Sequence, residues 1–406
     1  SSQILDILHY WMKTYHIDGF HLMGKGVLPE VLVKDKWLSQ SKLFFPDINT
    51  EQTYQNQIPS FRHIAEYNEG FLTDMRRVLK GDEDQVGRLI YQTRRNPDAY
   101  GVINYMAATN GFTMMDMVSC EQKHNEANGE NNRDGSDYNY TWNCGIEGTT
   151  RKRKIVQMRK KQLRNAFLLL FLSQGTPMFL AGDEFGNSQN GNNNAYCQDN
   201  EISWLNWHQL ETNRDIYEFV KYMIAFRKAH PVFHLPMEPK NIDYLVCGHP
   251  DVSYHGVKTW CPEFENFRRQ LGILYCGEYG RRADGTSDDY FFVAYNMHWE
   301  PHEFDLPKLP KGMQWTLCIN TDDADNNGIC PPESLEAGQE PQEELRQYMV
   351  PPRSILVFRG FKPISGPASE KDGKKAGKVV KSVKRQNVRK EPAKEAETVV
   401  AAAREL

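Results

Sequence analysis

Residues 1–22 read SSQILDILHYWMKTYHIDGFHL. Ile4, Leu5, Leu8, Trp11 and Met12 recur at the spacing of one helical face, and IDGFHL follows as a short strand candidate. A helix delivered straight into a strand is the repeating unit of a parallel sheet, because parallel neighbours need a crossover that brings the chain back to the same end. The alternation continues downstream. KLFF (42–45), HIAEYN (63–68), VINYMAA (102–108) and TPMFLAG (176–182) are further strand candidates, and helical periodicity returns over 69–80, 86–94, 151–172 and 214–230. Residues 1–233 are therefore expected to be an α/β region built on parallel strands.

From 234 to 362 the period changes. RQLGILYCG, YFFVAYNMH, QWTLCIN and SILVFRG are short β-branched and aromatic runs between Gly, Pro and Asp clusters, which predicts a small antiparallel β-sandwich. Residues 363–406 then lose their aromatics, and Lys371 to Lys390 holds nine Lys or Arg against one acid. Such a segment cannot bury a core and is expected to be a disordered basic tail. Without interleaved aromatics for base stacking, the tail gives no reason to expect nucleic acid as a partner.

At 406 residues the chain is long enough for two or three compact units, and its net charge of −4 fits a soluble globular class. The longest apolar run, AFLLLFLSQGTPMFLAG (166–182), is interrupted by Ser173, Gln174, Gly175 and Pro177. It falls short of the roughly 20 apolar residues needed to span a bilayer, so no membrane contact is expected. The eight cysteines are scattered, with no CxxC and no close Cys/His cluster. The expectation is a reduced, cytoplasmic protein with no metal and no cofactor.

Three segments carry a specific resemblance: KHNEANGENNRDGSDYNYTWNCGIEGTT (123–150), SQGTPMFLAGDEFGNSQNGNNNAYCQDNEISWLNW (173–207) and DVSYHGV (251–257). They resemble the bacterial glycogen debranching enzymes and isoamylases of the α-amylase superfamily, glycoside hydrolase family 13, and the similarity runs in order over roughly residues 1–360. The resemblance implies a (β/α)8 TIM barrel followed by a C-terminal β-sandwich, and hydrolysis of α-1,6 branch points in glycogen-like glucans. Family members usually begin with a carbohydrate-binding β-sandwich and three βα units. This chain starts on what looks like the helix before the fourth barrel strand, so strands four to eight are expected. A missing N-terminal half, a partner chain or a truncated chain is implied, since half a barrel leaves its interior side chains uncovered.

The same resemblance locates the reaction centre, and there the chain departs from the family. A retaining glycosidase needs one carboxylate as nucleophile and a second as acid and then base. The family pattern GFRFD at the fourth strand reads GFHLM here, placing His21 where the supporting Arg belongs and Met23 where the nucleophilic Asp belongs. KLIAEPWD at the fifth strand reads KLFFPDIN, with Pro46 at the acid/base position. The neighbouring Asp47 is a displaced candidate, although a shift of one residue along a strand turns a side chain to the other face. AHDGFT at the seventh strand reads ATNGFT, with Thr109 and Asn110 in place of the sugar-holding His and Asp. No catalytic residue is expected to be intact.

Substrate contacts are expected from His124, Asn110, Trp142, Trp204 and Trp207, the tryptophans as sugar-stacking platforms. Core packing for each Trp, and a loop capping its own backbone around His124, Asn125, Glu126 and Asn128, are the alternatives. Asp183 and Glu184 follow the eighth strand in the resemblance and are read as structural, adjacent strand residues facing opposite ways. The expected function is that of a catalytically inactive debranching-like protein, binding an α-glucan or serving as partner of an active debranching enzyme. An active α-1,6-glucosidase using displaced groups, and an interaction module using its basic tail, stand as alternatives.

Overall fold

The structure is a computed structural model that describes residues 2–24, 26, 28–54, 63–330 and 345–362. The basic tail anticipated from 363 onward lies outside the described residues. Five strands form the first sheet: β1 (Gly19–His21), β2 (Lys42–Phe45), β3 (Ile64–Asn68), β4 (Gly101–Tyr105) and β5 (Thr176–Met178). Their order is β1-β2-β3-β4-β5 and every pairing is parallel. The helices that matter for the site are α1 (Ser2–Tyr15), α2 (Glu69–Lys80), α3 (Val86–Arg94), α4 (Arg153–Leu172) and α5 (Arg214–Ala229).

The strands alternate in the way a sheet with unequal faces requires. Along β2, Leu43 and Phe45 are buried while Lys42 and Phe44 are not. Leu43, Phe45 and Ile64 form the outer face, packed with Leu8 of α1 and with Leu32 and Leu38 of the β1–β2 connection. The inner face carries His21, Phe44, Tyr67, Tyr105 and Met178, all of them exposed or half-buried. Parallel sheets are normally covered on both faces. Within the described residues this one has edges at β1 and β5 and does not close on itself.

Helix α2 begins where Asn68, at the end of β3, accepts the Phe71 amide at 3.1 Å, and it ends on Gly81 in the left-handed region at φ 79°. That pair of caps stops the helix at both ends. Helix α4 is different in kind. Its residues 161–172 are all buried, including Lys161 and Arg164, because it lies between the α/β region and the C-terminal sheet. Lys161 reaches Asp322 at 2.7 Å and Arg164 reaches the Thr321 carbonyl at 3.0 Å. A buried cation is tolerated only with such partners. No helix among the described residues is long and apolar enough to cross a membrane.

The second sheet is antiparallel and holds β6 (Val252–His255), β7 (Gln270–Tyr275), β8 (Tyr290–Asn296), β10 (Gln314–Asn320) and β12 (Ser354–Phe361), while among the described residues β9 (His302–Asp305) pairs only with β11 (Gln347–Val350). Its strand order is β10-β12-β8-β7-β6. Ile273, Phe291, Val293, Ile355 and Val357 face the core shared with α4 and α5. Leu274, Phe292, Ala294, Leu356 and Phe358 face Phe304 of β9 and Val350 of β11. Period-two alternation thus supplies two apolar layers, as expected of a sandwich.

Candidate functional site

The C-terminal ends of β1, β2 and β4 bring the sequence-selected positions to one side of the first sheet. Met23 is 65% exposed just past β1, and Pro46 and Asp47 are exposed just past β2. Thr109 and Asn110 are exposed on the loop after β4. A thioether and a pyrrolidine ring cannot attack an anomeric carbon or protonate a leaving oxygen, so positions 23 and 46 offer no acid and no nucleophile.

Beneath these ends lies an aromatic row that the sequence reading did not single out. The Tyr67 ring centroid is 4.2 Å from His21, 6.1 Å from Phe44 and 6.0 Å from Tyr105. Burial pushes the His21 imidazole below its ordinary pKa and the Tyr67 phenol above its own. Burial, followed by the nearby Glu69 and Tyr67, pushes the Tyr105 phenol up to about 12. The row is therefore neutral at physiological pH. The alternation of HIAEYN and VINYM contained the signal, since Tyr67 and Tyr105 occupy the same-face positions of their strands.

Two buried carboxylates hold the loops around this side. Asp116 accepts Ser188 Oγ at 2.6 Å, the Gln189 amide at 2.8 Å and the Gly191 amide at 3.3 Å. Burial is the largest influence on it and raises its pKa against those hydrogen bonds. Asp183 accepts the amides of Met114 and Leu180, each at 2.9 Å, and burial pushes its pKa up to about 7. Asp183 and Glu184 sit in a 3-10 turn, Asp183–Phe185, and not on a strand. The strand-face argument for separating them does not apply, and their division of labour comes from the turn: Glu184 accepts the Gly182 amide at 2.8 Å. The fully buried guanidinium of Arg76 donates to the carbonyls of Met106 and Asn139, fixing the segment after β4.

The Asn-rich loop is tied to the 123–139 segment through its side chains. Asn125 and Asn193 exchange hydrogen bonds, with Asn125 Nδ2 donating to Asn193 Oδ1 at 2.8 Å and the Asn193 amide to Asn125 Oδ1 at 3.0 Å. Asn128 and Asn194 both donate to Asp134 Oδ2, at 2.7 and 2.8 Å. These amides satisfy one another across the two loops.

The aromatic candidates separate. Trp142 is half-buried against the main core, with the Arg353 guanidinium 4.3 Å from its ring centroid. Trp204 is 57% and Trp207 65% exposed. Trp207 rests against Phe185 at 5.4 Å, and Trp204 donates through Nε1 to Asp199 at 3.0 Å. His124 is engaged by Glu147, Nε2 to Oε1, at 2.9 Å. Cys120 completes a group with those two residues whose ligand atoms lie within 4.8 Å of one another. This group runs against the expectation of no close Cys/His cluster: the Cys120-x3-His124 spacing is its sequence signal.

A parallel α/β sheet joined to an antiparallel β-domain is a combination found in the α-amylase superfamily fold with its C-terminal all-β domain. The family model described as alpha amylase, C-terminal all-beta domain, matches residues 278–360. Solved structures agree in fold: the maltotriose complex of a pullulanase from Paenibacillus barengoltzii has a TM-score of 0.57 at 18% identity, covering 88% of this chain and 50% of its own. The catalytic module of the glycogen-degrading pneumococcal virulence factor SpuA gives 0.56 at 16% identity, covering 88% and 54%.

In sequence, the chain is similar to proteins named as glycogen operon protein GlgX homologs, isoamylases and glycogen debranching enzymes. It is 32% identical over 394 residues to the glycogen operon protein GlgX homolog of Mycobacterium tuberculosis, covering 88% of this chain and 52% of the relative. It is 37% identical over 353 residues to the chloroplastic isoamylase 3 of Oryza sativa subsp. japonica, covering 81% and 43%. It is 34% identical over 337 residues to the glycogen debranching enzyme of Pectobacterium atrosepticum, covering 77% and 50%. The chain spans about half the length of the curated relatives it matches.

Proposed function

We propose that this chain is a non-catalytic, glucan-recognising member of its family, acting in α-glucan metabolism in the cytoplasm. The observation that carries this reading is the substitution of His21, Met23, Pro46, Thr109 and Asn110 on one side of an otherwise ordered sheet. In this reading residues 1–233 are strands four to eight of a (β/α)8 barrel, residues 234–362 its β-domain and residues 363–406 a basic tail. The sheet's open edges and half-covered inner face are then the seam for the other barrel half or for an active debranching enzyme. Sugar contacts fall to Asn110, Trp204 and Trp207, which are exposed, while Trp142 is engaged by Arg353.

Sugar binding and bond cleavage depend on different groups. Stacking platforms and hydroxyl partners hold the ground state, whereas charged groups stabilise the oxocarbenium-like transition state. Losing the second set leaves affinity without turnover. The test is native electrophoresis in a glycogen-containing gel together with a reducing-end assay. Retarded migration without reducing ends is the expected result; sustained release of reducing ends by the unaltered chain would overturn the reading.

A further inference from the structure

We propose that Cys120, His124 and Glu147 form a binding site for one borderline-soft divalent cation of the Zn2+ class. This inference does not depend on the glucan reading. Their ligand atoms lie within 4.8 Å of one another, and tetrahedral Zn2+ bonds imply ligand separations of roughly 3.3 to 3.8 Å. Side-chain adjustments alone are enough to close that difference.

Cys120 and His124 are already held by their backbone amides, and Glu147 by its carboxylate. The Cys120 amide donates to the Asp116 carbonyl at 2.8 Å, and the His124 amide to the Gly191 carbonyl at 2.7 Å. Glu147 accepts the amides of Glu121 at 2.9 Å and Gln122 at 3.2 Å, and Asn143 Nδ2 at 3.0 Å. A carboxylate anchored in this way has the outer-shell support that metal ligands require. Gly191 closes the back of the group: a Cβ there would stand 3.0 Å from Cys120 Sγ and 2.6 Å from His124 Cδ2, and its φ of 78° also favours glycine.

The chemistry of the set selects the ion. A thiol, an imidazole and one carboxylate suit Zn2+ or Co2+, whereas Ca2+ and Mg2+ prefer all-oxygen shells. Cys120 is 2% exposed, so its thiol is shielded from bulk solvent and faces His124 and Glu147. Cation binding forms a metal–thiolate bond and releases the thiol proton; His124 binds through the Nε2 lone pair as the Nδ1–H tautomer, replacing its hydrogen bond to Glu147. The His124 and Glu147 side chains are 38% and 35% exposed, leaving an entry path from solvent, from which a water would supply the fourth ligand. The bound cation would pin the segment after β4 to the loop that leads into α4.

The experiment treats the full chain with chelator, reloads it with Co2+ and records its absorption spectrum, then measures Zn2+ retained after dialysis by elemental analysis. One Co2+ per chain, a near-ultraviolet thiolate-to-cobalt band, and loss of that band in Cys120→Ser are expected. Cys197→Ser, which alters an exposed cysteine, should leave the band unchanged. Should Cys120→Ser fail to fold by circular dichroism, His124→Gln decides, with loss of stoichiometric Zn2+ retention expected. Absence of stoichiometric retention in the unaltered chain, a Co2+ spectrum without the band, or a band surviving either ligand substitution would overturn the assignment.

Discussion

The imidazole of His21 lies 4.2 Å, centroid to centroid, from the phenol ring of Tyr67, at an interplanar angle of 40°. The position read as the family's arginine is thus filled by a ring that packs on its neighbour and is driven towards its neutral form by burial. Restoring the nucleophile alone therefore leaves its electrostatic support and its acid partner missing. Met23→Asp should release no reducing ends from glycogen. The smallest set from which turnover is expected is His21→Arg, Met23→Asp, Pro46→Glu, Thr109→His and Asn110→Asp together. Activity in the single variant would show that Pro46 is not the missing acid position.

Asp183 gives a pH signature. Its folded pKa of about 7 is above the ordinary value of 3.8, so the folded chain keeps this proton over a range where the unfolded chain has lost it. Its contribution is fully present below about pH 4 and is lost as pH rises towards 7. Asp183→Asn lacks that proton. Urea midpoints measured from pH 4 to pH 8 should show wild-type stability falling relative to the variant across pH 4–7 and running parallel above it. A difference that stays constant over the whole range would refute the buried, protonated assignment.

Asn125 is fully buried and exchanges two hydrogen bonds with Asn193 across 68 positions of sequence. Truncation to alanine strands the buried amide and carbonyl partners, a cost of about 1–3 kcal/mol. Asn125→Ala should lower the unfolding midpoint accordingly and open the 186–200 loop to limited proteolysis in the native state. Unchanged cleavage kinetics would mean that Asp116 and Asp134 hold the loop without this pair.

The tryptophans divide by burial. Trp204 and Trp207 are largely exposed, so Trp204→Ala and Trp207→Ala should leave the melting temperature nearly unchanged while weakening retention in a glycogen gel. Trp142 packs on the main core under Arg353, and Trp142→Ala should lower the melting temperature instead. The opposite pattern would move the sugar contact to Trp142.

The uncovered inner face makes a further claim on solution behaviour. Phe44, Tyr67, Tyr105 and Met178 are half-buried with part of their apolar surface facing solvent, and contiguous apolar patches associate. Sedimentation velocity should show association that increases with protein concentration and is reduced by Phe44→Lys. A monomer at every concentration would show that this face is covered.

Features with a local cause were legible in the sequence. Residues 69–80 and 86–94 were predicted as helices and are α2 and α3 with those bounds, because apolar spacing and a cap at each end of α2 lie within a few residues of each other. KLFF is β2 with its predicted limits. The antiparallel character of the C-terminal strands follows from short β-branched and aromatic runs closely spaced between Gly, Pro and Asp clusters. TPMFLAG is shorter as a strand than its apolar run predicts, since only Thr176–Met178 stays in the ladder before Asp183 draws the chain into a turn.

Tertiary structure decided everything that depends on pairs distant along the chain. Sequence periodicity assigns Tyr67 to one face of a strand. Only the parallel register, with His21 beside Phe44 and Phe44 beside Ala65, brings the His21 ring onto it. Likewise, nothing local joins Cys120 to Glu147, or Asn125 to Asn193. Those contacts arise because Asp116, Asp183 and Arg76 tie two long loops together at the C-terminal ends of the strands, and a buried hydrogen bond selects its partner by position in space, not by distance along the chain.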